Sequence, residues 1–366
     1  MKIINRYIIK EFAPQFILGL SVFTFILLMD KIFMLTGLII NKGVHVFTVF
    51  KLLIYTLPSF FSLAIPMAVL MGTLLAFGRM VEDNEITALR ASGVAQIKIM
   101  FPIMLLTFVM SLSLIYFNQE IAPLSQQKFA KTYFEIVYQR PTLKLEENAF
   151  TEIDNYRMYV TNINRRKNTL NKLIIYKLDE QKDEYPVLIT AKKGVLSQDG
   201  DILNLTLFSG NIQKKDDKDP SKFNQVNFAN YTIKFDLTKN KEAMRDFSKS
   251  IMSLTGGGIN KEIQRLSVNN VATLNLKIEY YKRITIAWAC FGFALLACPL
   301  ALLTHKHSKA IGFGMSIIVL FIYYAVLAFG LSLGERGILN PVLSLSLPNI
   351  LLFIVSVFMV WKVQKQ

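Results

Sequence analysis

Six long apolar segments, grouped three and three around one polar insert, constrain this chain more than any other feature. Each reaches about 18 residues or more, which is enough to cross a hydrocarbon core at 1.5 Å per residue. Helices of soluble proteins are apolar along one stripe only, so the segments predict an integral membrane protein with six transmembrane helices. The apolar segments are Phe12–Met29, Leu52–Gly78, Ile99–Asn118, Ile284–Thr304, Ala310–Gly334 and Pro341–Trp361.

The distribution of charge argues against a nucleic-acid partner, although the net charge is +15. The insert between Gln119 and Arg283 holds 27 Lys and Arg against 20 Asp and Glu, with both signs interspersed. A nucleic-acid site would concentrate basic residues on one face. The two cysteines, Cys290 and Cys298, both lie in the fourth apolar segment, and no Cys/His pattern has zinc-ligand spacing. The insert must therefore be held together by a core of its own.

Basic residues in the short loops predict that both termini are cytoplasmic and that the insert lies outside. With the N-terminus inside, ten Lys and Arg fall on the cytoplasmic side and four on the other, as the positive-inside rule requires. The residues before the first span alternate between a cationic and an apolar face. They predict either a short interfacial helix or a simple basic anchor.

The insert has the pattern of an antiparallel β-sandwich. Short runs alternate apolar and polar residues, as half-buried strands do, and Gln198–Asp201 predicts a tight turn. Gly256–Gly258 predicts a flexible joint, followed by a helical approach to the fourth span. The insert contains no histidine, and its carboxylates fit solvated strand faces better than a catalytic site. The predicted strands are Tyr156–Ile163, Lys172–Leu178, Pro186–Leu196, Leu203–Leu207 and Tyr231–Leu237.

The loop between spans two and three predicts a short helix over about residues 82–93. Asp83 or Asn84 is suited to cap its start, and Gly93 is suited to end it. The pattern predicts that Glu85 and Leu89 are exposed together, one turn apart. A helix this short is marginal in water, so we expect headgroups or a protein partner to pack on it. A plain capped turn is the alternative.

Taken together, these segments resemble the lipopolysaccharide export permeases of the paired LptF/LptG family over essentially the whole chain. The resemblance leans toward the LptF half. It rests on the combination of this topology with five motifs, none of which is specific alone. The motifs are Arg6-Tyr7-Ile8, Ile65-Pro66-Met67, Glu85–Gly93, Tyr281-Lys282-Arg283 and Phe293–Leu300.

The resemblance implies a periplasmic β-jellyroll and a heterodimer with a paralogous permease in the bacterial inner membrane. It also implies two copies of a cytoplasmic ATPase, LptB, and delivery of lipopolysaccharide to a periplasmic LptA/LptC bridge through the β domain. The chain would be a non-catalytic subunit without a bound cofactor, because ATP would be hydrolysed by LptB. In agreement, the sequence contains no G-x-x-x-x-G-K-[ST] loop.

The resemblance also implies two groups of site residues. The loop helix would dock in a groove of the ATPase, and the outer end of the first span would face lipid phosphates. Lys31 is the leading candidate there, and its alternative role is an interfacial anchor beside Asp30. The implied coupling residues are Glu82, Glu85, Ile86, Leu89, Arg90 and Gly93, and the implied substrate-binding residues are Lys31, Met34 and Lys42.

These predictions divide the chain into an N-terminal transmembrane half (1–120), a periplasmic β domain with linkers (121–270) and a C-terminal transmembrane half (271–366). Two other classes of function remain possible at this point. One is a membrane-anchored adaptor whose β domain binds a partner without transport. The other is a lipid-modifying enzyme, which is disfavoured because the spans hold almost no residues for acid–base chemistry.

Overall fold

The computed structural model describes residues 2–40, 44–139, 145, 147–153, 155–164, 169–177, 187–199, 202–215, 223–236, 251–268, 273–303 and 309–364. The chain divides into a mostly helical unit and a mostly β unit. The helical unit comprises 1–34, 51–129 and 249–366, and the β unit comprises 35–50 and 130–248. The helices are α1 (Lys2–Ile40), α2 (Val46–Glu82), α3 (Glu85–Ala91), α4 (Gln96–Tyr116), α5 (Ala122–Gln139), α6 (Gly256–Val268), α7 (Leu274–Leu303), α8 (Lys309–Glu335) and α9 (Pro341–Gln364).

Six of the described helical stretches are long and apolar enough to cross a membrane, so the predicted six-span architecture is confirmed. The helices extend beyond the apolar segments. The first is the clearest case, because α1 runs unbroken for 39 residues and includes the predicted interfacial segment. Ile8 and Phe12 on its apolar face are fully buried. The sequence predicted the two faces of this segment correctly, but they belong to the first span itself.

The third span is interrupted by a π-helical turn. After α4, residues Phe117–Ile121 form this turn, and α5 continues from it. A π turn inserts an extra residue into the helical ladder and is frequently found at functional sites. Here it directs two consecutive polar side chains, Asn118 and Gln119, into the protein, where both are buried.

The β unit contains a six-stranded antiparallel sheet, which confirms the predicted antiparallel insert. Its strands pair in sequence order, so each strand lies beside the one that follows it. Asp199 pairs with Ile202 where the tight turn was predicted, and residues 200–201 between them lie outside the described residues. The strands are β1 (Phe150–Ile153), β2 (Tyr156–Asn164), β3 (Thr169–Lys177), β4 (Val187–Asp199), β5 (Ile202–Lys215) and β6 (Phe223–Asp236).

A crease crosses this sheet from β2 to β6. The strand register omits one residue of each of these strands, and Lys172 and Ser209 among them have positive φ angles of 51° and 53°. The omitted residues are Thr161, Lys172, Lys192, Ser209 and Ala229. Each paired strand loses one residue from the ladder, so these are bends and not bulges with an extra residue, and strands turn corners between packed sheets at such bends. On both sides of the crease the apolar side chains join one buried cluster, so the single sheet encloses its own core.

The glycine run before the fourth span is part of a helix, and the prediction of a flexible joint there was wrong. Thr255 caps α6, because its hydroxyl accepts a hydrogen bond from the Gly258 N–H at 3.2 Å. Gly256 also packs closely, because a Cβ there would lie 2.5 Å from Gln119 Oε1 and would have to displace that buried side chain. An N-cap and a close helix contact explain a Gly-rich sequence that looks like a linker.

Candidate functional site

A cavity of about 420 Å³ lies inside the helical unit, between α1, α2, α5 and α7. Its walls are apolar on several sides, whereas hydroxyl groups from α2 and cations from α1 and α7 lie on the others. The apolar lining comes from Phe60, Leu63, Ala122, Pro123, Phe129, Met252 and Ile286, and the polar lining from Lys31, Thr56, Ser59, Ser62, Asn118, Gln126, Glu279, Lys282 and Arg283.

Two of the three cationic side chains at this cavity form ion pairs and hydrogen bonds within the protein. Glu279 accepts hydrogen bonds from Lys282 and from Arg283 Nε, the latter at 3.1 Å. Arg283 also donates to the carbonyl oxygens of Leu254, Ile251 and Met252 at 2.7, 3.2 and 3.1 Å. Its side chain is only 8% exposed. This guanidinium therefore holds the 251–254 segment against the fourth span and has little capacity left for a ligand.

The third cation, Lys31, has no comparable partner. The contact that the structure gives its ammonium is a 3.9 Å approach to Met34 Sδ, which is a weak acceptor. Lys31 is half-buried and makes no ion pair with a carboxylate in the described part of the chain, so the alternative of a local pair with Asp30 is not what this conformation contains. Lys31 thus keeps its hydrogen-bonding capacity at the mouth of a cavity.

A buried acceptor lies at the same cavity. Asn118 is 4% exposed, and its Nδ2 donates to the Arg283 carbonyl at 3.1 Å. Its Oδ1 is buried without a hydrogen-bond partner, and the same holds for Gln119 Oε1 beside it. An unsatisfied buried acceptor costs about 1–3 kcal/mol.

The hydroxyls of Thr56 and Ser62 donate to the carbonyl oxygens of Leu53 and Pro58 at 2.7 and 3.2 Å, so they are already used within α2. What the cavity offers a ligand is a cation without a carboxylate partner in the described chain, beside apolar walls, which suits an amphiphile with an anionic headgroup.

The loop helix α3 lies at the other end of the helical unit and has the predicted boundaries within a few residues. It begins after Asn84, whose φ is 58°, and Asn84 provides no side-chain cap. Gly93 ends it with φ of 83°. The Gly93 N–H donates to Arg90 O at 2.9 Å and the Val94 N–H to Leu89 O at 3.1 Å, which is the Schellman pattern. The prediction that Gly93 stops the helix is confirmed.

Glu85 and Leu89 are less exposed than expected, because both are half-buried. Leu89 packs partly buried against the apolar core of the helical unit, where Ile86 is 4% exposed. The Glu85 carboxylate accepts hydrogen bonds from the hydroxyl of Tyr7, at 2.8 and 2.9 Å. The reason is that α1 begins well before the membrane-length segment and reaches α3, so the apolar stripe of α3 is covered by this same chain.

The remaining implied site residues fall into two groups. Glu82, Arg90 and Gly93 are exposed, and with Thr87, Ala88 and Ala91 they form the outward surface of this loop. Met34 is exposed beside Lys31, whereas Lys42 lies outside the described residues. Among the described residues no cluster of His, Cys, Asp and Glu could hold a metal ion.

Sequence reasoning missed the residues that organise both sites. Arg283 and Lys282 were noticed as part of a motif without a role, and Glu279 was not noticed. The available signal was a carboxylate at i and cations at i+3 and i+4 directly before an apolar segment. The contacts of Tyr7, Glu11 and Arg79 were not predicted either, because they join residues about 70 positions apart, which no local pattern shows.

Comparison with known proteins agrees with this architecture over nearly the whole chain. The model of the lipopolysaccharide export system permease LptF/LptG family matches residues 6–362. The chain is also 23% identical over 319 residues to the uncharacterized protein RP871 of Rickettsia prowazekii (strain Madrid E), a match that covers 84% of each chain. The six spans, the inserted antiparallel sheet and the family match lead to one conclusion: this multi-pass membrane protein belongs to the LptF/LptG family of lipopolysaccharide export permeases.

Proposed function

We propose that this chain is one transmembrane half of an ATP-driven exporter that extracts lipopolysaccharide from the inner membrane. It would pair with a paralogous permease and with two copies of the LptB ATPase, and it would pass its cargo to an LptA/LptC bridge through the β domain. Both termini would be cytoplasmic and the insert periplasmic. The chain itself would be non-catalytic and bind no cofactor.

The half-buried Lys31 ammonium at the mouth of the cavity supports this proposal most directly. A cation that no carboxylate neutralises in the described chain, beside apolar walls, is suited to a phosphorylated lipid headgroup. Charge-assisted contacts of this kind are strong where water is partly excluded. The positions of Phe60, Leu63 and Phe129 on the same cavity would place acyl chains next to the headgroup.

The test is photo-crosslinking of lipopolysaccharide from a probe in the first span of the assembled complex. Lys31→Glu is expected to reduce crosslinking about tenfold or more, because it reverses the charge that meets the phosphate. Lys31→Arg should be milder, since the charge survives although the geometry changes. Lys51→Glu is the matched control: Lys51 is exposed, lies over the ring of Tyr55 at 5.8 Å and does not line the cavity.

If Lys31→Glu and Lys51→Glu crosslink and export cargo like the parent, Lys31 is only an interfacial anchor.

Co-purification separates the exporter from the adaptor. An exporter half retains the ATPase in detergent, and exposed positions of α3 such as Arg90 control that retention. An adaptor retains no ATPase, and charge reversal at Arg90 would change nothing that can be measured by co-purification.

A further inference from the structure

The start of the first span is joined to the loop helix by a pair of polar contacts. Tyr7 donates its hydroxyl proton to the Glu85 carboxylate, with oxygen–oxygen distances of 2.8 and 2.9 Å. One turn further along α1, Glu11 accepts a hydrogen bond from Arg79 Nη1 at 2.6 Å. Positions i and i+4 lie on one helical face, so a single face of α1 contacts both the end of α2 and the start of α3.

The Glu11–Arg79 contact is supported by its surroundings, whereas Tyr7 is 41% exposed and its contact lies at the surface. The Glu11 side chain is 12% exposed, and Arg79 is held from its other side by Asp83 at 3.3 Å. Ile8 and Phe12, which flank Glu11 on α1, belong to the same buried cluster as Ile86 of α3. The polar contacts therefore fix the orientation of two elements that already pack together.

The first span also connects the two sites described above. From Tyr7 to Lys31, α1 advances 24 residues, which at 1.5 Å per residue is about 36 Å. Pro14 lies between them. Just after this proline, α1 packs closely against α2. A Cβ on Gly72 of α2 would lie 2.9 Å from the backbone of Phe16. One helix thus carries the tyrosine that holds the loop helix and the lysine at the mouth of the cavity.

We infer that Tyr7 is a positioning residue that couples the loop helix to the first span, so that movement of α3 is transmitted directly to α1 and to Lys31. This inference rests on the proposed function, in which the ATPase moves α3. It gives Glu85 an internal role: its carboxylate is held by this chain, and the outward surface of α3 is left for the ATPase. It also explains why a tyrosine stands beside Arg6 at the start of a membrane helix.

The first experiment needs no partner. Amide hydrogen exchange of residues 85–91 is measured in the full chain reconstituted in nanodiscs, with Tyr7→Phe compared with the parent. Loss of the hydroxyl removes a hydrogen bond to a charged group, and the expected result is about fivefold faster exchange in α3. Tyr116→Phe is the matched control, because Tyr116 is exposed and its hydroxyl has no hydrogen bond within the described residues. Equal exchange in the parent and Tyr7→Phe would overturn the inference.

The second experiment measures coupling in the complex with the ATPase in proteoliposomes. For Tyr7→Phe we expect ATP hydrolysis within twofold of the parent, whereas lipopolysaccharide released per ATP falls about fivefold. Tyr7→Lys should restore release, because an ammonium can also bind the Glu85 carboxylate, and it should fail to restore release when combined with Glu85→Ala. If the tyrosine ring acted only by packing, Tyr7→Phe would release lipid like the parent and Tyr7→Lys would not.

The outcomes separate the two proposals. If Tyr7→Phe weakens ATPase association as much as release, Glu85 acts in docking and the inference is overturned. If Tyr7→Phe releases as much lipid per ATP as the parent, the inference is also overturned. If the parent chain retains no ATPase at all, the proposed function fails, and the hydrogen-exchange result alone then decides whether Tyr7 holds α3.

Discussion

The two ends of the helical unit differ in whether their polar side chains have partners within the protein. At the loop-helix end, Glu11, Arg79, Asp83 and Glu85 are each bound to a side chain of this protein. At the cavity end, Lys31 lacks an ion pair within the described chain, and the Asn118 carbonyl is buried without a donor. Charges that hold helices together are satisfied internally, whereas those that meet a ligand keep unused capacity. Under the proposed function, the loop-helix end transmits the movement of the ATPase and the cavity end binds the cargo.

Glu279, Lys282 and Arg283 are paired with one another at the cavity end, and removing Arg283 should have the largest effect on stability. Arg283→Ala would leave Glu279 with Lys282 alone and would release three backbone carbonyls. Breaking a buried charge pair typically costs 3–5 kcal/mol, so we expect a loss of about that size in the thermal unfolding of detergent-purified protein. Arg265→Ala is the control, because Arg265 is 70% exposed and its pair with Glu262 contributes about 0.5 kcal/mol or less. Similar melting of the two variants would show that Arg283 is not structural.

Removing one charge at the loop-helix end should have an intermediate effect. Glu11→Gln keeps the shape of the side chain but weakens the bond to Arg79, which is half-exposed. The bond is charge-assisted, but water around the exposed Arg79 screens it, so we expect a loss smaller than that of Arg283→Ala. Chemical denaturation in detergent measures it. If Glu11→Gln destabilised the protein no more than substitution of an exposed carboxylate such as Glu82, the contrast between the two ends would disappear.

Replacing the unsatisfied amide should change stability less than it changes binding. Asn118→Leu loses the bond to the Arg283 carbonyl but also removes an acceptor that has no donor, and these effects oppose each other. We expect a change within about 1 kcal/mol in unfolding free energy, whereas crosslinking of lipopolysaccharide falls several-fold. Ser113→Leu on the exposed face of α4 is a suitable control. A large loss of stability without a change in crosslinking would make Asn118 a packing residue.

The smallest effect on stability is expected on the outward face of α3. Arg90→Ala removes an exposed side chain without an ion pair in the described chain, so unfolding should shift by less than about 0.5 kcal/mol. Association with the ATPase should nevertheless weaken, and co-purification measures it. The inward residue Leu89 provides the contrast, because Leu89→Ala should destabilise the permease before it affects docking. If Arg90→Ala retained the ATPase fully, the docking surface would lie elsewhere.

Local sequence patterns predicted the features that depend on local physics. The six spans follow from apolar runs long enough to cross a bilayer, and the end of α3 follows from a glycine that adopts a positive φ. The strands of the insert follow from alternation. In each case the residues that determine the structure are neighbours in the sequence, so periodicity and turn chemistry were sufficient.

The features that escaped prediction depend on distant contacts or on residues in unusual conformations. Glu85 and Leu89 are less exposed than expected because Tyr7 and the core partly cover them. Gly256 looked like part of a linker because its contact with Gln119 is more than a hundred residues away. The crease in the sheet involves Lys172 and Ser209 at positive φ, and neither residue type signals such a conformation.

The sequential order of the strands has a consequence for biosynthesis. Every pairing from β1 to β6 joins a strand to the next one in the chain, so none waits for a segment that has yet to be made. Closing short loops costs little entropy, and domains generally fold as units during synthesis. The described strands of the insert can therefore complete their sheet while the ribosome is still translating the fourth span, before the second half of the membrane bundle has been made.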